Sequence, residues 1–422
     1  MSAEAPAVAA VPFRTTNEPG LAAGRHRALA LLAGSTVLAM SAWFSTGAVG
    51  PALMEQRGYS SGDLTWMAVA VQAGFVAGTL AVAISNLPDV FRPQRVYLLG
   101  ATFAALAAIS LLPDQSAGIA IASRVGMGVA LATVYPVGMK MLAGWYRGGR
   151  GLALGVMIGG LAFGSGLPHL FGSIVEQDWE IAIAGSAAAT LLGGIVVGLA
   201  FRSGPFQAPP APFRPGFALD VLRARPTALA TAGYLGHMWE LYAMWTWAPV
   251  FLLEVVGERS VLSGTFGLVG VIAFAVFGVG AAGSIVAGLA SERYGRTTAA
   301  SAAMIASGSI ALFIGFVPTG AEELIVVLLL IWGVAVIADS AQFSTAMSEL
   351  ADPRYVGSAL SLQTALGFAL TIVSIRLLPI VEAEAGWGVA FAMLALGPLL
   401  GTLAMLKLRT LPEARQMAGG RR

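Results

Sequence analysis

From Ala228 to Val256 the chain reads as one apolar run, long enough to cross a bilayer. Runs of similar length recur at 28–53, 64–84, 97–113, 117–143, 151–175, 181–201, 228–256, 266–290, 298–317, 325–347, 356–380 and 388–408. Apolar stretches of roughly 17–25 residues mark membrane-crossing helices. The chain is 57% hydrophobic and 11% charged, against about 25% charged in a soluble domain. That is too much apolar surface for a water-soluble core. The expected fold is an all-α integral membrane protein of twelve transmembrane helices.

Basic residues set the orientation of such a chain. Placing both termini in the cytoplasm puts 19 of the 24 lysines and arginines in inside segments, and only Arg57 and Arg259 in outside loops. The other three, Arg124, Lys140 and Arg376, fall within the runs. Residues 1–24 are rich in Ala, Pro and polar residues. They lack the basic start and apolar segment of a secretory signal and read as a disordered cytoplasmic tail. Residues 202–227 contain "GPFQAPPAPFRPGF", a proline-rich linker that cannot span. It separates a six-helix bundle at 25–201 from a second at 228–408, with 409–422 as a cytoplasmic tail.

The two halves echo each other. The loop after the second run reads "SNLPDVFRPQRV" (85–96), and the loop after the eighth reads "GLASERYGRTT" (288–298). In each, an acid just past the helix end is followed within a few residues by arginines. The second copy resembles the "GxLaDRxGRR" loop of the major facilitator superfamily, with Glu292 for Asp and Thr297 for the last Arg. The first copy keeps Leu87 and Asp89 and displaces its basic charge to Arg92 and Arg95. "RVGMGVALA" (124–132) is similar to the family's "RxxQGxGAA" motif, with Met127 for Gln. "WYRGGRGLALGVMIGGLAFGSG" (145–166) is similar to its glycine-rich fifth helix. The resemblance implies two pseudo-symmetric six-helix bundles around a solute site at the midplane, exposed to each side in turn. It further implies a cytoplasmic latch built from Asp89, Arg92, Arg95 and Arg150 in one half and Glu292, Arg293 and Arg296 in the other. The glycines of the fifth run let helix backbones approach closely, for packing or for sliding.

A charge at mid-bilayer costs at least ~2.5–3.5 kcal/mol, so it faces a partner or a wet cavity. Glu240 lies deep in the seventh run. His237, Glu240, Met244 and Trp247 follow at spacings of 3, 4 and 3 and are expected as one cavity-lining stripe. Asp339, also near mid-depth, opens the polar run "DSAQFST" and shares a helical face with Gln342 and Glu349. Arg124 and Tyr135, eleven residues apart, are expected to face the same way unless Pro136 kinks the helix. Lys140 lies near the cytoplasmic end, where snorkelling to headgroups competes with a functional role. Arg376 and His169 lie near outer helix ends and fit an outer rim. Trp43, Tyr135 and Trp247 are candidate pocket aromatics, whereas Phe44, Tyr242 and Trp245 read as packing. Gln72, Gln363 and Thr364 reach either a solute or a neighbouring backbone. A structural pair that only ties helices together is the competing reading for each charged group.

No cysteine is present, and His26, His169 and His237 are scattered. Disulfides, thiolate metal sites and a histidine metal cluster are thereby excluded. There is no GxxxxGK[ST] loop and no soluble segment large enough for a nucleotide-binding domain. The energy source is then a gradient. A carboxylate in a partly desolvated site can exchange protons near neutral pH, so Glu240 and Asp339, with His237 as relay, are the expected proton carriers. The function expected is secondary active transport of a small polar or anionic solute in a cell (inner) membrane. No enzyme activity, cofactor, metal or nucleic acid is expected, and the protein is expected to work as a monomer. Efflux of amphipathic drugs and a non-transporting receptor of the same fold are the alternatives.

Overall fold

The computed structural model describes residues 19–85, 87–146, 149–175, 178–206, 222–257, 265–318, 320–352 and 356–422. Among the described residues there is no β-strand. The helices are α1 (Pro19–Met40), α2 (Ser45–Ala48), α3 (Gly50–Arg57), α4 (Ser61–Ser85), α5 (Leu87–Val90), α6 (Pro93–Ile109), α7 (Ala117–Leu131), α8 (Tyr135–Ala143), α9 (Arg150–Val175) and α10 (Trp179–Ala200). Beyond the proline-rich linker come α11 (Arg225–Gly257), α12 (Thr265–Tyr294), α13 (Arg296–Phe313), α14 (Glu322–Ala338), α15 (Ser340–Leu350), α16 (Val356–Leu394) and α17 (Leu396–Arg409). A segment of 3-10 turns, Pro412–Gly420, follows, with non-helical backbone at Met417, Ala418 and Gly419. The helix expected to begin near residue 28 starts at Pro19, so residues 19–24 are helical rather than disordered. Proline suits a first helical position because its missing N–H has no intrahelical partner there. The rest of the expected tail, and 207–221 of the linker, lie outside the described residues.

Among the described residues eight helical segments are long and apolar enough to cross a membrane: Ser61–Ser85, Ala117–Ala143, Gly151–Ile174, Trp179–Ala200, Gly267–Tyr294, Arg296–Phe316, Glu322–Leu350 and Ala359–Arg409. The last doubles back at Gly386, whose φ of 76° only glycine adopts readily. Before the turn, Ile375 and Gly367 lie beside Trp247 and Tyr234 of α11; after it, Gly397 lies beside Gly236. The outward faces are apolar, with Leu199, Ile174, Leu400 and Phe103 all exposed. Such a surface is at home in hydrocarbon, and this is a multi-pass membrane protein.

The halves meet along two seams. The most extensive helix pair in the structure is α9 against α12, and α4 against α16 forms the second. Glycine makes the first seam possible. A Cβ on Gly155 would lie 2.9 Å from the Ser284 carbonyl oxygen, and one on Gly159 would lie 2.9 Å from that of Ala281. The other face of α9 packs on α1, with Gly160 against Ala33 and Gly164 against Val37. Backbone contact on both faces is what small residues contribute in lipid, where dispersion and close approach replace the hydrophobic effect.

Candidate functional site

Among the described residues four apolar runs are interrupted partway along, the twelfth at Ala395, and three of the interruptions have a clear local cause. Between α1 and α2, residues Ser41 to Phe44 form turns. Ser41 Oγ donates to the Leu38 carbonyl (2.7 Å) and Ser45 Oγ to that of Ala42 (2.8 Å). Between α7 and α8 the ladder closes into tighter turns, with Thr133 N bonded to Ala130 O (3.0 Å) and Val134 N to Leu131 O (2.9 Å). Pro136 has no N–H with which to continue the helix. Between α14 and α15 the break falls on Asp339 itself, with Gln342 N bonded to Asp339 O (2.9 Å). The second and third breaks occupy the fourth run of the first half and the fourth of the second, at similar depth. Paired interruptions of this kind mark binding regions in repeat-built membrane proteins.

The break at Asp339 places its carboxylate on α11. His237 Nδ1 lies 2.7 Å from Asp339 Oδ1, both side chains almost fully buried, in a close but oblique contact. Tyr234 and Phe343 flank the imidazole, with ring centroids 6.1 and 5.6 Å away. The far nitrogen of His237, Nε2, has no hydrogen-bond partner among the described residues. Neither does either end of the Gln342 amide, nor Gln363 Nε2, nor the Trp43 indole N–H, nor Gln72 Oε1. All five side chains are buried. Buried polar atoms are overwhelmingly satisfied in folded proteins, so these unspent donors and acceptors stand out, as do others such as His169 Nε2 and Ser301 Oγ elsewhere in the molecule.

Glu240 is arranged differently. Its Oε1 accepts a hydrogen bond from the Trp332 indole (2.7 Å) and its Oε2 one from Ser307 Oγ (2.9 Å). The carboxylate thus joins α11 to α13 and α14 within the second half. The four residues expected as one stripe, His237, Glu240, Met244 and Trp247, have separate partners. Trp247 donates its N–H to the Ile375 carbonyl (3.1 Å), and Met244 borders a cavity of just about 10 Å³. The physical reason is that lipid and protein interior are equally apolar. A polar side chain therefore turns toward whichever neighbour offers a donor. Substituting Glu240 by Ala strands two buried donors at about 1–3 kcal/mol each. Thermal unfolding in detergent should show a large drop for Glu240→Ala and less than half of it for Glu240→Gln, which keeps one acceptor.

Arg124 is fully buried. It donates to the Ala107 carbonyl, to Ser123 Oγ (3.3 Å) and weakly to Ser45 Oγ (3.5 Å). No carboxylate lies within ion-pair distance among the described residues. It does not share a continuous helical face with Tyr135, because the break at 132–134 separates them. Tyr135 is instead close enough to Tyr234 and Tyr242 of the other half to interact with them electrostatically. Lys140 is half-buried on α8.

The stripe of α11 that does face the first half is aromatic. Tyr242 packs on Trp43 (5.8 Å between centroids), and Trp245 on Phe44 (5.9 Å) and Phe277 (4.6 Å). Phe75 meets Phe368 at 4.4 Å and Trp43 at 5.0 Å. Where a wet cleft was expected between the halves, these rings pack against one another. A partly open space of about 10 Å³ lies within the second half, between α11 and α12 beside Trp245 and Phe277. At the end remote from Arg296, the Arg376 guanidinium lies over the Trp66 ring at 4.5 Å, joining α16 to α4. His169 stacks on Phe277 at 5.6 Å, joining α9 to α12.

At the opposite end Arg296 bridges Glu292 (2.8 Å) and Glu349 (3.0 Å), and the Gly151 N–H donates across the seam to Glu292 Oε1 (3.2 Å). Of the other expected latch residues, Arg92, Arg95 and Arg293 are exposed, and Arg293 leans over its own neighbour Tyr294. The side chains of Asp89 and Arg150 lie outside the described residues. Among the described residues no three of His, Asp and Glu converge as metal ligands. Trp332, Ser307 and Trp66 drew no expectation from the sequence, and Phe44, Tyr242 and Trp245 were expected only to pack. An indole or hydroxyl in an apolar run gives no hint of the distant carboxylate it will meet. A family model described as Major Facilitator Superfamily matches residues 31–362. No curated protein matches the chain.

Proposed function

The chain belongs to the major facilitator superfamily and is a membrane transporter, and on that premise we propose that it carries a small polar or anionic solute by proton-coupled alternating access. The observation that supports this most is the set of buried, unspent hydrogen-bonding atoms, of which His237 Nε2, the Gln342 amide and the Trp43 N–H lie at or opposite the helix breaks. His237 Nε2, the Gln342 amide, Gln363 and the Trp43 N–H offer mostly donors, which suits a solute rich in acceptors such as a carboxylate or polyol. Arg124, a buried cation with no acid against it among the described residues, favours negative charge. The His237–Asp339 contact is the proposed proton-carrying pair, whereas Glu240 acts as a strut between helices. The closed aromatic seam is an occluded stage of the cycle, in which twelve spans form two pseudo-symmetric bundles. Both termini lie in the cytoplasm of a cell whose inner membrane holds the protein as a monomer.

A second reading draws on the rings. Trp43, Phe75, Tyr242 and Phe368 would offer flat apolar faces to an amphipathic cation once the halves part. Flux into proteoliposomes under an imposed pH gradient separates the two. Organic anions and polyols should accumulate by about tenfold per pH unit for one coupled proton, equivalent to about 1.4 kcal/mol. Movement of lipophilic cations alone would favour the second reading. No gradient-dependent flux of any class would refute coupled transport.

A further inference from the structure

Residues 411–422 were expected only as a tail, yet they are built into the latch. Leu411, Ala414, Met417 and Ala418 are buried, while Glu413, Arg415 and Gln416 are exposed. That is the one-sided pattern of a segment laid on a surface, a 3-10 turn that leaves helical geometry at Met417. The surface is α15 and the Arg296 end of α12. Ala418 N–H donates to Glu349 Oε2 (3.1 Å), the second oxygen of the acid that Arg296 bridges. Arg421 donates to the Glu292 backbone carbonyl, a group freed because α12 ends two residues later. Thr297 Oγ1 donates to the Arg422 carbonyl (3.0 Å). Gly295 ends the helix at φ 94°. A Cβ there would also strike the backbone of Arg421 and Arg422. The glycine thus serves both the turn and the docked segment.

Glu292 is the residue that reaches across to Gly151 of the other half. Anything that fixes Glu292, Arg296 and Glu349 in place therefore favours closure at this end. We propose that residues 411–422 are an autoinhibitory brace that holds this gate shut when docked and biases the transporter toward opening here when released. The proposal rests on the alternating-access reading.

The chain contains no cysteine, so a single introduced thiol reports without background. Ser284 is fully buried in the α9–α12 seam and bonds to the Gly155 carbonyl (3.1 Å). Ser284→Cys is nearly isosteric there. Ser173→Cys serves the remote end of the same seam, where Gly270 abuts Ser173. The test is labelling by a membrane-impermeant maleimide in proteoliposomes, in the full chain with or without Met417→Asp or Arg421→Ala. Release of the brace should raise labelling of the Ser284→Cys protein, from the face carrying the brace, by about tenfold. Labelling of the Ser173→Cys protein from the other face should fall or stay level. Unchanged labelling at position 284 in both brace variants overturns the proposal. So does a parallel rise at both positions, which signals general loosening. A chain ending at Thr410 gives the same reading if the point variants fail to insert. If labelling shifts as expected while no solute is carried, the brace stands and the transport reading fails.

Discussion

Gly159→Leu is expected to reduce transport by roughly a hundredfold or more while the protein still inserts and folds. A Cβ at this position would already sit 2.9 Å from the Ala281 carbonyl oxygen. That neighbour is backbone and cannot swing aside as a side chain would. Overpacking typically costs about 1–3 kcal/mol, and a leucine against a helix backbone falls at the upper end or beyond. About 3 kcal/mol set against the closed arrangement alone shifts a two-state equilibrium by some two orders of magnitude. In the proposed alternating-access cycle every turnover passes through closure of the α9–α12 seam, so the penalty acts directly on the rate. Gly155→Leu should behave alike, since its Cβ would meet Ser284 O at the same distance. Gly34→Leu is the control. Nothing lies within 4 Å of its Cβ position, and leucine is the better helix former. The measurement is initial uptake rate per inserted protein, with detergent melting to confirm the fold. Normal uptake by Gly159→Leu would mean that this seam does not close during the cycle.

The spans were legible because lipid imposes a length rule that needs no knowledge of neighbours. Each apolar run lies largely on helix, and eight helical segments among the described residues are long and apolar enough to cross. The ion pairs of Arg296 were half legible. Glu292 and Arg296 sit in a short loop whose spacing brings them together at i and i+4, whereas the contribution of Glu349 comes from 53 residues away. Which way a helix faces was not legible. On α11 the 3–4–3 spacing of His237, Glu240, Met244 and Trp247 is real, but it does not identify the surroundings. Glu240 is claimed by Ser307 and Trp332, and Trp247 by Ile375. The seam is filled by Tyr242 and Trp245, whose rings read as ordinary packing. Counting turns from Arg124 to Tyr135 assumed an unbroken helix. Thr133 donates its hydroxyl to the Ala130 carbonyl (2.8 Å) just ahead of Pro136, and together they interrupt it. The docked brace was invisible for the same reason as the Glu240 strut: its partners are remote in sequence.

Asp339→Asn should abolish accumulation against a gradient while leaving exchange of solute for solute intact. Asparagine keeps the shape of the side chain and can still meet His237, so the helix break and the packing survive. What it cannot do is take up and release a proton. A transporter that accumulates about tenfold per pH unit with one coupled proton would then only equilibrate its solute, to a ratio near one. His237→Gln should give the same phenotype, because the imidazole 2.7 Å from Asp339 is the other half of the pair. If the two act as one unit, the double variant is no worse than either single one, a coupling that a double-mutant cycle reads directly. Asp339→Ala is a harsher change. Removing one partner of a buried pair typically costs about 3–5 kcal/mol, and the protein should melt earlier as well as uncouple. Glu240→Gln supplies the contrast, since a strut can lose stability without losing coupling. If Asp339→Asn still accumulates solute and Glu240→Gln does not, the two carboxylates have been given each other's roles. The hydrogen bonds from Trp332 and Ser307 would then belong to a site that opens during the cycle rather than to a fixed joint.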